Sequence, residues 1–177
     1  KPDWAGGAGR DEYGLHADAI IAGIKHRFRW IEPTSFMMGS PEDEAGRYDD
    51  EVLHRVILTQ GYWLAETSCT QELWQAVMRD NPSYFQGEQS PVEKVSWSDV
   101  QNFLKKLHAL NPELKQLRLP TETEWEVAYR AGTSAPYSDG DLGKIAWHQG
   151  NSKKQTQPVG RKKPNAWGLY DMAGNVW

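Results

Sequence analysis

The sequence predicts an α+β domain of short strands, about three helices and much irregular loop. Three observations carry this. Short runs rich in aromatic and β-branched residues crowd residues 20–65. Between residues 70 and 132, Thr or Ser residues open segments with helical spacing. From 133 to 177, Gly, Pro, Asn and Asp recur at close intervals and no long periodic segment remains.

Taken in order, residues 1–18 are Gly-rich and polar, and read as an irregular arm anchored by Trp4 and Tyr13. The division expected is an N-terminal arm over 1–27 and a domain over 28–177. His26 to Ile31 reads as an early strand, Pro33-Thr34 as its turn, and Ser35 to Gly39 as its hairpin partner. Val52 to Leu58 alternates as a further strand, and Gly61 to Ala65 is another. Thr70 caps a first helix whose Leu73, Trp74, Val77 and Met78 form one apolar face, and Asn81-Pro82-Ser83 ends it. Ser96 and Asp99 make a capping box for a helix running to about Leu110, with Val100, Phe103, Leu104 and Leu107 inward. Thr121 and Glu124 make a second box; Trp125, Ala128 and Tyr129 should face the core, and Gly132 should stop the helix. The last quarter reads as loop with short strands.

Composition narrows the function. The chain has 177 residues and a net charge of -4, with no basic stripe, so it carries no sign of a nucleic-acid binder. No apolar run approaches the ~20 residues of a membrane span, and no signal peptide is visible, which leans the reading to the cytoplasm. Nine Trp are expected mostly in the core, since each large aromatic buries about 150–250 Å². The single cysteine, Cys69, cannot form an internal disulfide and reads as a small packing residue.

Other clusters offer chemistry but have plainer readings. Residues 40–51 are acidic and could hold a cation; a solvated charge run is favoured. Glu122, Glu124 and Glu126 could do acid–base work, but capping and dipole complementation suffice. Asp139 and Asp141, with Gly140 and Gly143, read as a turn rather than a cation loop. The five histidines lack metal-ligand spacing. The densest stretch is the last, Pro164 to Trp177. Its Gly168 and Gly174 permit unusual backbone geometry, and Asp171 and Asn175 can tie their side chains to backbone or to a cation.

Several motifs occur together and in order: Phe36-Met37-Met38-Gly39-Ser40, Glu51 with His54, Thr67 to Gln71, Pro91 to Trp97, Arg118 to Glu126, Pro158-Val159-Gly160 and Gly168 to Trp177. The chain resembles the formylglycine-generating enzyme (sulfatase-modifying factor) family over about residues 28–177. The resemblance implies a C-type-lectin-like fold. It also implies a copper-dependent oxidation of a sulfatase cysteine in the family's enzymes, performed by two cysteines that lie beyond the motif ending here. Cys69 matches neither, so no catalytic or cofactor-binding residue is carried over, and the chain itself is read as non-catalytic and as lacking the C-terminal part. Copper would belong only to a chain that carries the cysteine pair.

For calcium, the resemblance assigns Asp171 as a side-chain ligand and Gly174 and Val176 as carbonyl ligands, with a glutamate after Trp177 as the missing partner. Asn151 matches the start of a second site, but no acidic residue follows it in 152–157. Ca²⁺ takes about 6–8 oxygen ligands, so the expected structural site is incomplete. The functional expectation is a non-catalytic module that binds a protein or small ligand through its loop surface, similar to the variable proteins of diversity-generating retroelements. A second chain completing the domain would be a further partner. The alternative is the N-terminal portion of a formylglycine-generating oxidase.

Overall fold

The computed structural model describes residues 1–135 and 141–176. Six strands come first: β1 (Gly7–Asp11), β2 (Gly14–Ile21), β3 (Ile24–Ile31), β4 (Thr34–Met38), β5 (His54–Leu58) and β6 (Tyr62–Ala65). Helices α1 (Gln71–Met78), α2 (Trp97–Leu110), α3 (Glu122–Arg130) and the four-residue α4 (Leu142–Ile145) follow. Antiparallel strands form one sheet in the order β1-β2-β3-β6, and β4 pairs with β5 in a second sheet.

The irregular arm expected over 1–18 is instead the start of the main sheet. β2 turns into β3 through Ala22 and Gly23, both with positive φ (50° and 83°). That is the backbone a tight two-residue hairpin requires. Along β2, Ala17, Ala19 and Ile21 are buried, so one face of the hairpin supplies core. Trp4 does anchor the N-terminus, packing edge-on against Phe28 and Trp63.

A second correction concerns β4. It does not fold back on β3, because β2 and β6 already occupy both edges of that strand. Its partner is β5, in register from Thr34↔Leu58 to Met38↔His54.

The helices start where their caps predict. Thr70 Oγ1 accepts from Leu73 N, and both capping boxes close, at Ser96/Asp99 and Thr121/Glu124. Left-handed Arg79 ends α1, two residues before the expected Asn-Pro break. Left-handed Ala131, followed by Gly132 at φ 86°, ends α3.

The main core joins Ile21 and Phe28 of the sheet to Leu73, Trp74 and Val77 of α1 and Phe103, Leu104 and Leu107 of α2. Trp74 stacks on Phe103 at 5.0 Å between centroids. A smaller cluster gathers Ile31, Ala128 and Leu169.

Tryptophan placement follows expectation in part. Trp74 is buried, and Trp4, Trp63 and Trp167 pack partly buried against the two clusters, but Trp97 is 69% exposed and Trp125 42% exposed. Trp125 stacks on Tyr129 instead of entering the core, and Val127 takes the inward position. The last quarter contains α4 and turns, with no strand among its described residues. Asp139 and Gly140 lie outside the described residues; Asp141 caps α4 by accepting from Gly143 N, a turn role rather than a cation loop.

Candidate functional site

Two polar locks set the loops. The first is Gln71, 1% exposed at the start of α1. Its Nε2 donates to Phe85 O (2.8 Å) and Pro91 O (3.2 Å), and its Oε1 accepts from Asn81 Nδ2 (2.8 Å) and Gly87 N (3.0 Å). One buried amide thereby fixes residues 81–91, with no hydrogen-bonding capacity wasted. The second is Asn165. Its Oδ1 accepts from Trp167 N and Leu169 N, and its Nδ2 donates to Ala128 O at 2.7 Å. The C-terminal loop is thus pinned to α3.

A third tie is ionic. Arg29 is only 4% exposed; it pairs through Nη1 with Asp11 (2.7 Å) and through Nε with Glu66 (2.6 Å). Its guanidinium lies 5.4 Å from the Tyr13 ring centroid. Desolvation is the largest influence on it, but the two carboxylates outweigh that and raise its pKa.

The residues matched to a calcium site divide. Asp171 takes a positive φ (56°) and is buried. Oδ2 accepts from Gly160 N at 2.8 Å, while Oδ1 is buried without a hydrogen-bond partner. Burial raises the pKa of this carboxyl, and the Gly160 amide only partly offsets it. Asp171 also lines a void of ≈ 10 Å³, room for about one water or ion. Gly174 N reaches back to Asp171 O, so these two share one turn. A side chain at Gly174 would meet Trp147 O at 2.3 Å, which is why only glycine fits there. An orphaned, desolvated carboxylate oxygen fits a cation.

Asn151 does not fit one: Oδ1 accepts from His148 N (2.9 Å) and Nδ2 donates to Ala146 O (3.0 Å). Its side chain holds a local turn. Asn175 likewise exchanges two hydrogen bonds with the Gln157 backbone. Val176 is half-buried at the lip of a groove.

That groove is an apolar concavity of about 340 Å³. Its walls include Ala65, Leu73, Trp74, Val100, Phe103 and Val176. The groove thus runs between the main core and β6, an edge strand among the described residues. Trp74 Nε1 is buried here without a hydrogen-bond partner, a donor lacking an acceptor. Cys69 also lines the groove, packed against the core, and burial pushes its thiol up to about 12. A thiol held protonated is a poor nucleophile, which suits the packing role of Cys69.

The remaining clusters are structural. Glu124 is driven down to about 2, first by its two-pronged pairing with Arg118 (2.7 Å each). Glu126 accepts from Gly39 N and pairs with Arg130. In the acidic loop, Ser40 Oγ donates to Glu51 at 2.7 Å and Arg47 donates to Ser40 and to Glu51 O. No group of three or more His, Cys, Asp or Glu poised for a metal occurs among the described residues. No helix among them is long and apolar enough to cross a membrane.

A small antiparallel sheet backed by α1 and α2, with long pinned loops, is a C-type-lectin-like α+β fold. The chain belongs to the family of sulfatase-modifying factor enzyme 1-like domains, whose model matches residues 25–177. It is similar to Treponema denticola variable protein 1, with a TM-score of 0.79 and 30% identity over 91% of this chain and 74% of that one. It is also similar to PvdO from Pseudomonas aeruginosa, with a TM-score of 0.75 and 27% identity over 97% of this chain and 72% of that one. Among sequence relatives, the chaperone protein LppX of Paenibacillus barcinonensis is 29% identical over 65% of this chain and 60% of its own length. The formylglycine-generating enzyme of Mycobacterium tuberculosis is 45% identical over 34% of this chain and 25% of its own. The chain thus spans less than two thirds of these sequence relatives.

Gln71, Asn165 and Arg29 were not singled out from the sequence. Asn165 had a usable signal, an Asn before Ala-Trp-Gly that can fold an Asx turn. Gln71 had none, because a polar residue after an N-cap is ordinary.

Proposed function

We propose that the chain is a non-catalytic binding module that receives an apolar protein segment in the groove between β6 and α1–α2. The observation that carries this is the apolar groove of about 340 Å³ lined by Leu73, Trp74, Phe103 and Leu104 with half-buried Val100 and Val176. A segment lying there would cover apolar surface and pair with the free edge of β6. The similarity to a variable protein and to a chaperone supports the same reading. Asp171 Oδ1, with the carbonyls of Gly174 and Val176, would hold a structural calcium ion that stiffens the C-terminal turn.

The test uses anilinonaphthalene sulfonate as a probe of the groove. The folded chain should bind it saturably at one site. Val100→Glu, a half-buried lining position, should weaken binding by about tenfold or more with the circular dichroism unchanged. Binding indifferent to that charge would overturn the assignment.

A second reading, part of a formylglycine-generating oxidase, is favoured by the 45% identity to the mycobacterial enzyme. Incubation with copper, O₂ and a sulfatase-derived cysteine peptide separates the two. Formylglycine in the mass spectrum would establish the oxidase, whereas an unmodified peptide fits the binding module.

A further inference from the structure

A second cavity adjoins the groove, with Phe28 and Trp63 lining both. It holds about 200 Å³ and is walled by Trp4, Phe28, Tyr62 and Trp63. Trp4 stands at 90° to Trp63 with centroids 5.7 Å apart, and at 66° to Phe28 at 5.4 Å. Edge-to-face contact joins Trp4, Phe28 and Trp63 into one continuous aromatic lining, and with Tyr62 they make the aromatic box around this cavity.

The rim is acidic. Glu113 and Glu124 both line it, and the one cation there, Arg118, is occupied by both oxygens of Glu124. Glu113 accepts from the neutral Asn111 Nδ2 (2.8 Å), and no cation among the described residues pairs with it. The cationic side chains that lie over rings elsewhere use Tyr13, Tyr84 and Trp147, not these four aromatics.

We infer that this box binds a trimethylammonium group, as carried by choline. The negative faces of aromatic rings attract a cation, and a quaternary ammonium gains most because it is weakly hydrated and forms no hydrogen bonds of its own. The volume lies below the ~300–1,000 Å³ of pockets for larger ligands, which suits a small head group. A primary ammonium would leave three N–H donors unsatisfied against the apolar walls. Glu113 supplies the counter-charge at the mouth. The box adjoins the groove and shares Phe28, Trp63 and Leu117 with it, but Trp4, Tyr62 and Glu113 belong to the box alone and Val100 to the groove alone, so different substitutions test the two assignments.

Titration calorimetry and ¹H NMR on the folded chain test this, with choline and its neutral isostere 3,3-dimethylbutan-1-ol as probes. Choline should bind saturably with its N-methyl resonance shifted upfield by the rings. The neutral isostere should bind about tenfold more weakly. Glu113→Gln, at an exposed position, should lower choline affinity several-fold and leave the isostere unchanged; Trp4→Leu should abolish the difference between the two. Phosphatidylcholine vesicles form the second arm: co-sedimentation would identify the lipid head group as the source, and its absence the free ammonium. Equal affinity for choline and its isostere, or no saturable upfield shift at millimolar choline, would overturn the inference.

Discussion

Replacing Gln71 by leucine tests how much one buried amide contributes. The side chain is 1% exposed and makes four hydrogen bonds, to Phe85 O, Pro91 O, Gly87 N and Asn81 Nδ2. Leucine keeps the volume approximately and removes all four. Asn81 Nδ2 retains Gln86 as acceptor, so it is spared. Three backbone groups then lose a partner, at about 1.5 kcal/mol each, and the added apolar burial returns about 1 kcal/mol. The net expectation is a loss of about 3–4 kcal/mol. With a urea slope near 2 kcal/mol/M, the unfolding midpoint should fall by about 1.5–2 M at unchanged slope. Amide exchange should report the same event locally, since the Gly87 N–H loses its acceptor. Gln71→Glu serves as the sharper control: it keeps Oε1 but turns a second oxygen toward two carbonyls, and should be at least as destabilising. A loss below about 1 kcal/mol for the leucine variant would show that residues 81–91 are held by something else, and the reasoning would be wrong.

Three further outcomes follow from the geometry. Arg29→Met should cost about 2–3 kcal/mol in urea unfolding; this is less than a fully buried pair would lose, because Asp11 and Glu66 remain partly wet. Glu124 has a folded pKa near 2 against an ordinary 4.5, so its contribution is present above 4.5 and is lost as pH falls toward 2. Glu124→Gln should therefore lower stability at neutral pH and flatten the acid limb in that window, as read by melting at stepped pH. Asp171 has the opposite sign: its raised pKa means the carboxylate costs stability at neutral pH, and the cost fades as pH falls through that pKa. Asp171→Asn should raise the melting temperature near pH 7. Calcium should raise it in the parent by no more than about 2 °C, and not at all in the variant.

Much of this was legible in the chain. Helix starts were readable because capping is local: Ser96 with Asp99 and Thr121 with Glu124 sit three residues apart, within one turn. The N-terminal hairpin was not, because its buried face is Ala17, Ala19 and Ile21 while Ile20 points outward. Alanine gives little hydrophobic contrast, so the two-residue rhythm is faint. The partner of β4 was misread for a different reason. Pro33 supplies a convincing turn, but pairing depends on which strands already flank β3, a long-range fact. In the site, Asp171 and Gly174 could be placed through the family motif. The orphaned oxygen of Asp171 depends on packing and could not be read from spacing. Trp97 and Trp125 illustrate the same limit from the apolar side: residue type predicts burial on average, not at a given helix position.

The bridge at Arg29 has a bearing on where this protein can be cut. The family match begins at residue 25, yet the guanidinium at 29 reaches back to Asp11, and β3 carries β2 from Ile24 to Arg29. Trimming the polypeptide to the matched region would strip one counter-charge from a sealed cation, bare that strand edge and remove Ala17, Ala19 and Ile21 from the interior. The segment that ancestry recognises is shorter than the segment that folds. An investigator who begins the chain at the family boundary would be handling an unstable object, and could mistake a missing strand for a missing activity.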